Sequence, residues 1–210
     1  MGCALLCPPR SEKNKINSEC QAVVKKSGGV SYDLTREEKQ ILRIHWESTV
    51  LAQQPDLFLK TMRNSIDDSP KMLDVISCRM HDPNYENIEE WPKLIKMTKG
   101  NCAFFTKQIV FNQLEEAAVR KDSEMLGAIH IQYAPYGFKP TFLDIWQKHM
   151  VKNLEEVEFH TSEEKRLFIA AFSKLSTFLC TLMVVEYEDS MKSVRHGEKE
   201  IKKAETKIAL

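Results

Sequence analysis

The sequence predicts an all-α domain. Only 7 glycines and 8 prolines occur among the 210 residues, and the strict alternation of apolar and polar residues that is typical of strands is hard to find. Two Thr-x-x-Glu capping boxes, at Thr35 and Thr161, instead precede runs in which apolar residues recur every third or fourth position. Since 42% of the residues are hydrophobic, the chain has enough apolar material for one packed core.

Start and stop signals divide this domain into six principal helices. Pro92 and Pro140 suit the first turn of a helix, where the missing N–H of proline costs nothing. Residues 70–91 are poorly periodic and predict short turns and a loop. The six helices are expected over residues 36–52, 55–68, 92–118, 122–132, from 140 through 154, and from 162 through 185.

The two ends of the chain differ in character from the domain between them. Residues 1–32 lack a helical period and carry five basic against two acidic side chains, so their net charge is +3. This composition predicts a flexible basic arm. Residues 191–210 are polar and Lys-rich, and predict a fraying helix or a tail. The expected organisation is an arm over 1–32, a globular domain over 33–190 and a tail over 191–210.

Charge and cysteine usage exclude several classes of protein. Thirty Lys and Arg residues balance thirty Asp and Glu residues, which leaves no electrostatic footprint for nucleic acid. The six cysteines form no CxxC pair and no Cys/His cluster with zinc spacing, so neither a structural metal site nor a disulfide framework is predicted. The apolar stretch over 175–185 has 11 residues, too few to cross a bilayer, and predicts a buried helix face.

The stretch LGAIHIQYAPYGFKP, residues 126–140, contains the main candidate site residue, His130. His130 follows Leu126 by four positions, so its imidazole is expected on the same side of the helix as that core-facing leucine. Two interpretations are open. The ring is either an ordinary capping or core histidine, or a metal ligand that faces a pocket while a backbone carbonyl holds its other nitrogen.

A stripe on the preceding predicted helix favours a pocket at this place. It is polar at one end and apolar at the other. Two such helices could form the walls of a narrow pocket for a flat apolar cofactor with a central metal. The stripe consists of Thr98, Asn101, Phe105 and Ile109.

Two motifs and two intervals carry a resemblance to a known family. They are LTREEKQILRIHW, LGAIHIQYAPYGFKPTF, the 24 residues from Trp46 to Pro70 and the 29 residues from Asn101 to His130. Over residues 32–190 or so, the chain resembles a globin, in the divergent style of invertebrate and especially nematode globins. The resemblance implies a globin-like fold of six to eight helices around a haem pocket, with haem b (iron protoporphyrin IX) as the cofactor.

The resemblance also implies roles for individual residues. His130 matches the proximal haem ligand, Asn101 falls where most globins carry a distal histidine or glutamine, and Ile76 stands where globins nearly always place a phenylalanine. Trp46 matches a packing tryptophan of the first helix. The cofactor contacts implied in total are His130, Asn101, Phe105, Met62, Ile76, Leu126, Phe138 and Phe142.

Asparagine at position 101 has a consequence for the iron. Its amide can donate a hydrogen bond to dioxygen but does not ligate ferric iron as imidazole does, so the sixth position is expected to be open or water-bound unless His81 reaches it. Cys102 is either a small packing residue or a redox-active thiol near the iron. The remaining histidines are expected at the surface or as helix caps: His45, His149, His160 and His196.

The N-terminal sequence MGCALLCPPR resembles an acylation signal rather than a secretory one. Gly2 would accept myristate, and Cys3 and Cys7 would accept palmitate, although Leu6 stands where serine or threonine is usual. Two acyl chains and a basic arm would anchor the protein to the inner leaflet of a membrane, at its cytoplasmic face. The other interpretation is a start codon followed by a disordered arm.

Three functions follow from these expectations. A membrane-tethered haem globin would bind dioxygen or another diatomic gas, for oxygen binding or transport, gas sensing or redox signalling. A haem-free globin-fold interaction module is the alternative, with a pocket that has collapsed or holds another apolar ligand, and Ile76 and Asn101 favour it. An enzyme is the third, but no nucleotide motif such as GxGxxG occurs, so any turnover would need an external electron donor.

Overall fold

The structure, a computed structural model, describes residues 30–81, 83 and 85–208 of the chain. These ranges contain helices and no strand, which confirms the predicted all-α class. The predicted lipidation residues Gly2, Cys3 and Cys7 lie outside the described residues, and so does nearly all of the predicted basic arm.

Seven α-helices occur within the described ranges. They are α1 (Arg36–His45), α2 (Leu57–Asp68), α3 (Met72–Ser77), α4 (Pro92–Thr106), α5 (Glu116–His130), α6 (Thr141–Leu154) and α7 (Ser162–Ile208). Three of them continue into other helical turns: α1 into a π-helical segment, Trp46–Leu51, α4 into a second one, Lys107–Phe111, and α5 into a 3-10 segment, Ile131–Tyr136. A further 3-10 segment spans Tyr85–Glu90. The region 70–91, predicted as short turns and a loop, therefore contains a six-residue α-helix, α3, as well as this 3-10 segment.

Both predicted capping boxes are present. Thr35 Oγ1 accepts from the Glu38 amide at 3.2 Å while Glu38 Oε2 accepts from the Thr35 amide at 2.8 Å. Thr161 and Glu164 exchange the same two bonds at 3.1 Å each. Glu38 also pairs with Lys174 Nζ at 2.6 Å, which ties α1 to α7. Burial opposes ionisation of Glu38, but the bonds from Lys174 and Thr35 outweigh it and hold the pKa of this carboxyl below its usual value.

The predicted helix over 92–118 is wrong at its C-terminal end, because helical turns stop with the π-helical segment after α4. Gln113 and Leu114 have left-handed φ angles of 49° and 58°, a conformation that non-glycine residues adopt only when their surroundings hold them in it. Leu114 is fully buried, and its carbonyl accepts from the Tyr32 hydroxyl at 2.7 Å. The chain therefore turns here, and α5 begins at Glu116.

A polar network closes the junction between α4 and α5. The Asp122 carboxylate accepts from Gln108 Nε2 at 3.1 Å and from Asn112 Nδ2 at 2.9 Å, and it pairs with Lys107 Nζ at 2.7 Å. Burial opposes its ionisation, but the three donors outweigh it and lower the pKa of Asp122. The predicted start of the next helix at residue 122 is wrong, because α5 begins six residues earlier, at Glu116, and Asp122 lies within it.

The centre of the core is aromatic. Trp46 is fully buried and stacks on Phe172 of α7 with ring centroids 5.9 Å apart. Its Nε1 donates to Thr106 Oγ1 at 3.0 Å, which joins the start of one π-helical segment to the end of α4. Phe105 stacks on the same Phe172 ring at 5.3 Å. These contacts fix α1, α4 and α7 against each other behind the pocket described below.

The last helix, α7, is 47 residues long and continues through the predicted tail to Ile208. By length and composition alone, its segment Ser162–His196 could cross a membrane, which the 11 residues over 175–185 could not. In the fold, 56% of its most apolar 18-residue window is buried inside the protein. Among the residues over 175–185, Leu175, Leu179 and Leu182 are buried, as predicted for a core helix face.

Candidate functional site

A pocket of about 480 Å³ opens between α2, α3, α4, α5, α6 and α7. This volume lies in the range of small-molecule and cofactor sites, roughly 300–1,000 Å³. Most of its lining is apolar or aromatic. All eight residues predicted as cofactor contacts line it: His130, Asn101, Phe105, Met62, Ile76, Leu126, Phe138 and Phe142. The structure therefore brings the eight together, while their role toward a cofactor stays a prediction.

A close approach of two helices positions His130. Gly127 of α5 packs on the backbone of α7, where an added Cβ would lie 2.6 Å from the carbonyl oxygen of Met183. Only a residue without a side chain permits this distance. Since His130 follows Gly127 by three residues, in the last turn of α5, the packing of α5 on α7 holds the imidazole at the pocket.

The hydrogen bonding of His130 leaves one ring nitrogen free. Its Nδ1 lies 2.7 Å from the carbonyl oxygen of Leu126, and because a carbonyl only accepts, Nδ1 carries the proton. Burial lowers the pKa of this imidazole, although the Leu126 bond opposes the change, so the ring is neutral at pH 7. Nε2 then has a free lone pair, and it makes no hydrogen bond to the residues that the structure describes.

This arrangement bears on both interpretations of His130. A capping histidine donates its ring N–H to a backbone carbonyl near the end of the helix, and the bond from His130 Nδ1 to the Leu126 carbonyl is of this kind. A metal-binding histidine needs the same bond, because it fixes the tautomer and the ring orientation, together with a free second nitrogen inside a pocket. The second requirement is met as well.

Two separate groups of rings line the pocket. The His130 ring contacts Phe138, with centroids 4.9 Å apart, on the α5 side. On another wall, Trp146 of α6 stacks on Phe105 of α4 at 5.5 Å and on Phe58 of α2 at 6.2 Å. The pocket is therefore lined both by an imidazole and by stacked aromatic rings.

Asn101 lines the pocket from α4, half-buried, and its side-chain amide makes no hydrogen bond to another described residue. Trp146 is more deeply placed, with 7% of its surface exposed. The Trp146 Nε1 atom is buried and lacks a hydrogen-bond partner in the described part of the chain. A buried donor left unpaired costs about 1–3 kcal/mol.

Two lysines give the pocket its positive charge. Lys93 is half-buried, and its Nζ donates to the Cys78 carbonyl at 2.6 Å and lies 3.1 Å from the Cys78 sulfur. Lys96, one turn later on α4, is exposed and has no acidic partner among the described residues. The pocket thus combines an apolar interior with two ammonium groups.

Sequence reasoning missed several of the lining residues. Some follow from the helical period, because Met97 precedes Asn101 by four positions and Trp146 follows Phe142 by four. Others come from elements that carried no predicted site residue. The missed residues are Met72, Val75, Lys93, Lys96, Met97, Phe104, Ile129, Tyr133, Leu143, Trp146, Leu179, Cys180 and Met183.

Other candidates lie outside the pocket. His81 is exposed and does not line it. Cys102 is half-buried and also outside the lining, and burial raises the pKa of its thiol despite a hydrogen bond with Thr106. Thr98 and Ile109, the ends of the predicted stripe, are buried in the core instead.

The prediction of a surface or cap position is wrong for His45. This ring is buried, with Nδ1 3.0 Å from Thr49 Oγ1, because the rings of Phe159 and Phe168 pack against it, with centroids 5.1 Å and 6.5 Å away. His149 is half-buried and pairs with Asp68 at 3.0 Å. The two other histidines are exposed as predicted: His160 and His196.

Within the described ranges, no group of three or more His, Cys, Asp or Glu side chains is placed to hold a metal ion. Comparison of the whole chain with models of protein families gives no match, and a search among curated proteins gives none either.

Proposed function

We propose that the chain is a haem globin that binds a diatomic gas, with His130 as the proximal ligand. The observation that carries the proposal is the neutral imidazole at the wall of a large apolar pocket, with Nδ1 held by Leu126 and Nε2 free. His130 would supply one ligand to the iron of a haem, and the porphyrin would supply others.

The residues of the pocket fit such a group. Its apolar lining suits the face of a porphyrin, and Lys93 and Lys96 carry the charge that would attract carboxylate side chains of the macrocycle. When bound, haem b supplies an iron that takes up a small ligand or changes oxidation state. Asn101, on the α4 wall, would offer its amide N–H to that ligand.

A haem-free interaction module remains the second candidate. Ile76 lines the pocket at the position where the globin pattern has a phenylalanine, and Asn101 lines it in place of a histidine. Because the pocket is open, with about 480 Å³, this function would involve another apolar ligand rather than a collapsed site. Lys93 and Lys96 would then receive the acidic end of an amphipathic molecule.

A membrane tether completes the proposal. Gly2, Cys3 and Cys7 would carry acyl chains, and a basic arm would add attraction to anionic lipid headgroups at the cytoplasmic face. Tethering favours gas sensing or redox signalling over bulk oxygen storage, which needs a concentrated, freely diffusing protein. An electron donor outside the chain would supply any redox turnover.

Haemin titration of the purified full chain tests the haem function. We expect a sharp Soret band that is lost in His130→Gly and returns when imidazole is added, because free imidazole can occupy the space left by the ring. His81→Ala is the matched control, since His81 lies outside the pocket. Free-haemin spectra from the wild-type protein would contradict the proposal and leave the apolar-ligand function.

Cell fractionation tests the tether. We expect wild-type protein in the membrane fraction and Gly2→Ala in the soluble fraction, because the variant cannot be myristoylated. A Cys3→Ser, Cys7→Ser variant should bind membranes weakly, since one acyl chain gives only marginal affinity. Equal partitioning of wild type and Gly2→Ala would rule out the anchor.

A further inference from the structure

The side chains of Cys78 and Lys93 meet beside the pocket, and the sulfur takes no part in the proposed function. Cys78 directly follows α3, and Lys93 lies in the first turn of α4 and lines the pocket. Lys93 Nζ is 3.1 Å from the Cys78 sulfur, and it donates to the Cys78 carbonyl at 2.6 Å. The two residues are 15 positions apart in the sequence, so the fold brings a thiol and an amine together.

Among the described residues, Lys93 has no carboxylate partner that would draw its amine away from the sulfur. Its Nζ contacts the carbonyl and the sulfur of Cys78, and it lies 5.9 Å from the ring centroid of Tyr133. A hydrogen-bond acceptor and an aromatic face thus hold the amine beside the sulfur. Atoms held about 3–3.5 Å apart are close enough to react when one of them becomes electrophilic.

Cys78 has different surroundings from the two other cysteines in the described ranges. Burial raises the pKa of the Cys102 thiol, and it raises the pKa of the Cys180 thiol to about 12, so both stay protonated at neutral pH. Cys78 has 7% of its surface exposed, but its sulfur accepts a hydrogen bond from the Lys93 amine. A cationic group beside a thiol favours its reaction with oxidants, because the thiolate is the nucleophile.

We propose that Cys78 and Lys93 are a redox-controlled modification site, at which a hydroperoxide such as hydrogen peroxide produces a reversible sulfur–nitrogen cross-link. The inference does not rest on the proposed haem function, because neither side chain has to bind iron. It goes beyond that function by making the protein itself respond to peroxide. The reactants are the thiol of Cys78, the amine of Lys93 and one molecule of peroxide.

The cross-link forms in two steps. The Cys78 sulfur attacks one oxygen of hydrogen peroxide and the O–O bond breaks, which gives a sulfenic acid and one water; sulfur loses two electrons and peroxide gains them. The Lys93 ammonium gives a proton to water, and its nitrogen lone pair then attacks the oxidised sulfur. The S–O bond breaks, and the hydroxide that leaves takes a second proton from the nitrogen and departs as water. The product is a sulfenamide.

The cross-link changes the pocket in two ways. The nitrogen of a sulfenamide is neutral, so one of the two ammonium groups at the pocket loses its charge and Lys96 keeps its own. The new bond also closes the loop over residues 79–92, which restrains the start of α4. A thiol reverses the change: it attacks the sulfur and releases the amine, and a second thiol reduces the mixed disulfide. Peroxide would therefore weaken the attraction of the pocket for anionic ligands, and reducing thiols would restore it.

Peptide mapping of the purified full chain tests the proposal. After treatment with hydrogen peroxide and digestion with trypsin without reductant, we expect the peptide over 72–79 to be joined to the peptide over 80–96. Its mass should be lower by two hydrogens than that of the two peptides together, and trypsin should leave the bond after Lys93 uncut. The peptide over 80–96 contains no cysteine, so a disulfide cannot join the two. Dithiothreitol should separate them.

Two variants make the test specific. Lys93→Arg keeps the charge and removes the reactive amine, because a guanidinium group does not lose its proton. Lys96→Arg, one turn later on α4, is the matched control. We expect the linked peptide to be lost in Lys93→Arg, where dimedone should instead trap the sulfenic acid of Cys78, and to persist in Lys96→Arg.

The wild-type chain alone can overturn the inference, whether or not the variants fold. It is overturned if Cys78 remains a thiol in excess peroxide, or if Cys78 becomes a sulfenic or sulfinic acid without a bond to Lys93. A linked peptide that persists in Lys93→Arg would overturn it as well. None of these outcomes bears on the Soret band that depends on His130, so the haem function is tested separately.

Discussion

The α carbon of Gly127 lies so close to α7 that an added Cβ would be 2.6 Å from the carbonyl oxygen and 2.8 Å from the Cα of Met183. Both are backbone atoms, so no side chain can move aside. We expect Gly127→Ala to push α5 away from α7 and to destabilise the protein by roughly 1–3 kcal/mol, as overpacking does. Urea denaturation measures this change.

Gly100→Ala is the control for that substitution. Gly100 lies in α4, and an added Cβ would meet nothing within 4 Å. Alanine there should stabilise the protein by about 0.5–1 kcal/mol, because it restricts the unfolded chain and favours the helix. Equal effects of the two substitutions would contradict the close packing of α5 on α7.

Protonation of His130 should weaken the fold below neutral pH. Burial lowers the pKa of this ring from its usual 6.5, so the unfolded chain binds the proton at a higher pH than the folded chain does. The stability that depends on this group is fully present above about pH 6.5 and is lost as the pH falls from there toward the folded pKa. The free energy of unfolding at pH 7 and pH 5 should therefore differ more in wild type than in His130→Gln.

Asp122 should contribute at more acidic pH. Its folded pKa is lowered, so its contribution is present above the unfolded pKa near 3.8 and disappears as the pH falls through the folded value. Asp122→Ala at pH 7 should cost about 2–3 kcal/mol, because the buried Gln108 amide loses its acceptor. The free energies of unfolding of wild type and Asp122→Asn should differ at pH 7 and approach each other as the pH falls below 3.8. A constant difference between them would contradict the assignment.

The capping box at Thr35 gives a local prediction. Thr35→Ala removes the acceptor of the Glu38 amide and should cost about 1 kcal/mol. Thr35→Ser keeps the hydroxyl and should retain most of the stability. Thermal unfolding followed by circular dichroism distinguishes the two, and equal losses would show that the methyl group, not the hydrogen bond, is responsible.

The features that could be predicted from the sequence are those that depend on residues close together along the chain. Helix starts at Thr35 and Thr161 followed from capping chemistry, and the alignment of His130 with Leu126 followed from the helical period. The end of α4 could not be predicted in this way. Residues that follow α4 donate hydrogen bonds to Asp122 of α5, and this contact between helices is not visible in a pattern along the chain. The apolar period of the sequence continues through the turn at Gln113 and Leu114, so by itself it predicts a helix that is too long.

The pocket was predicted only in part for a similar reason. The places of Asn101 and His130 at the pocket were predicted from a stripe of residues on one helix and from a family resemblance, and both of these are patterns along the chain. The unpaired Trp146 N–H and the charge of Lys93 depend on which helices meet at the pocket. His45 was misplaced because its burial comes from Phe159, more than a hundred residues away in the sequence.

An apolar cavity of about 480 Å³ links folding to ligand supply. A molecule that fills it binds the native chain and not the unfolded one, so it raises the free energy of unfolding by about 2.7 kcal/mol at a hundred times its dissociation constant. In a cell, chains without their ligand would unfold more often and be degraded sooner. The steady-state amount of this protein would therefore follow the availability of the molecule that it binds.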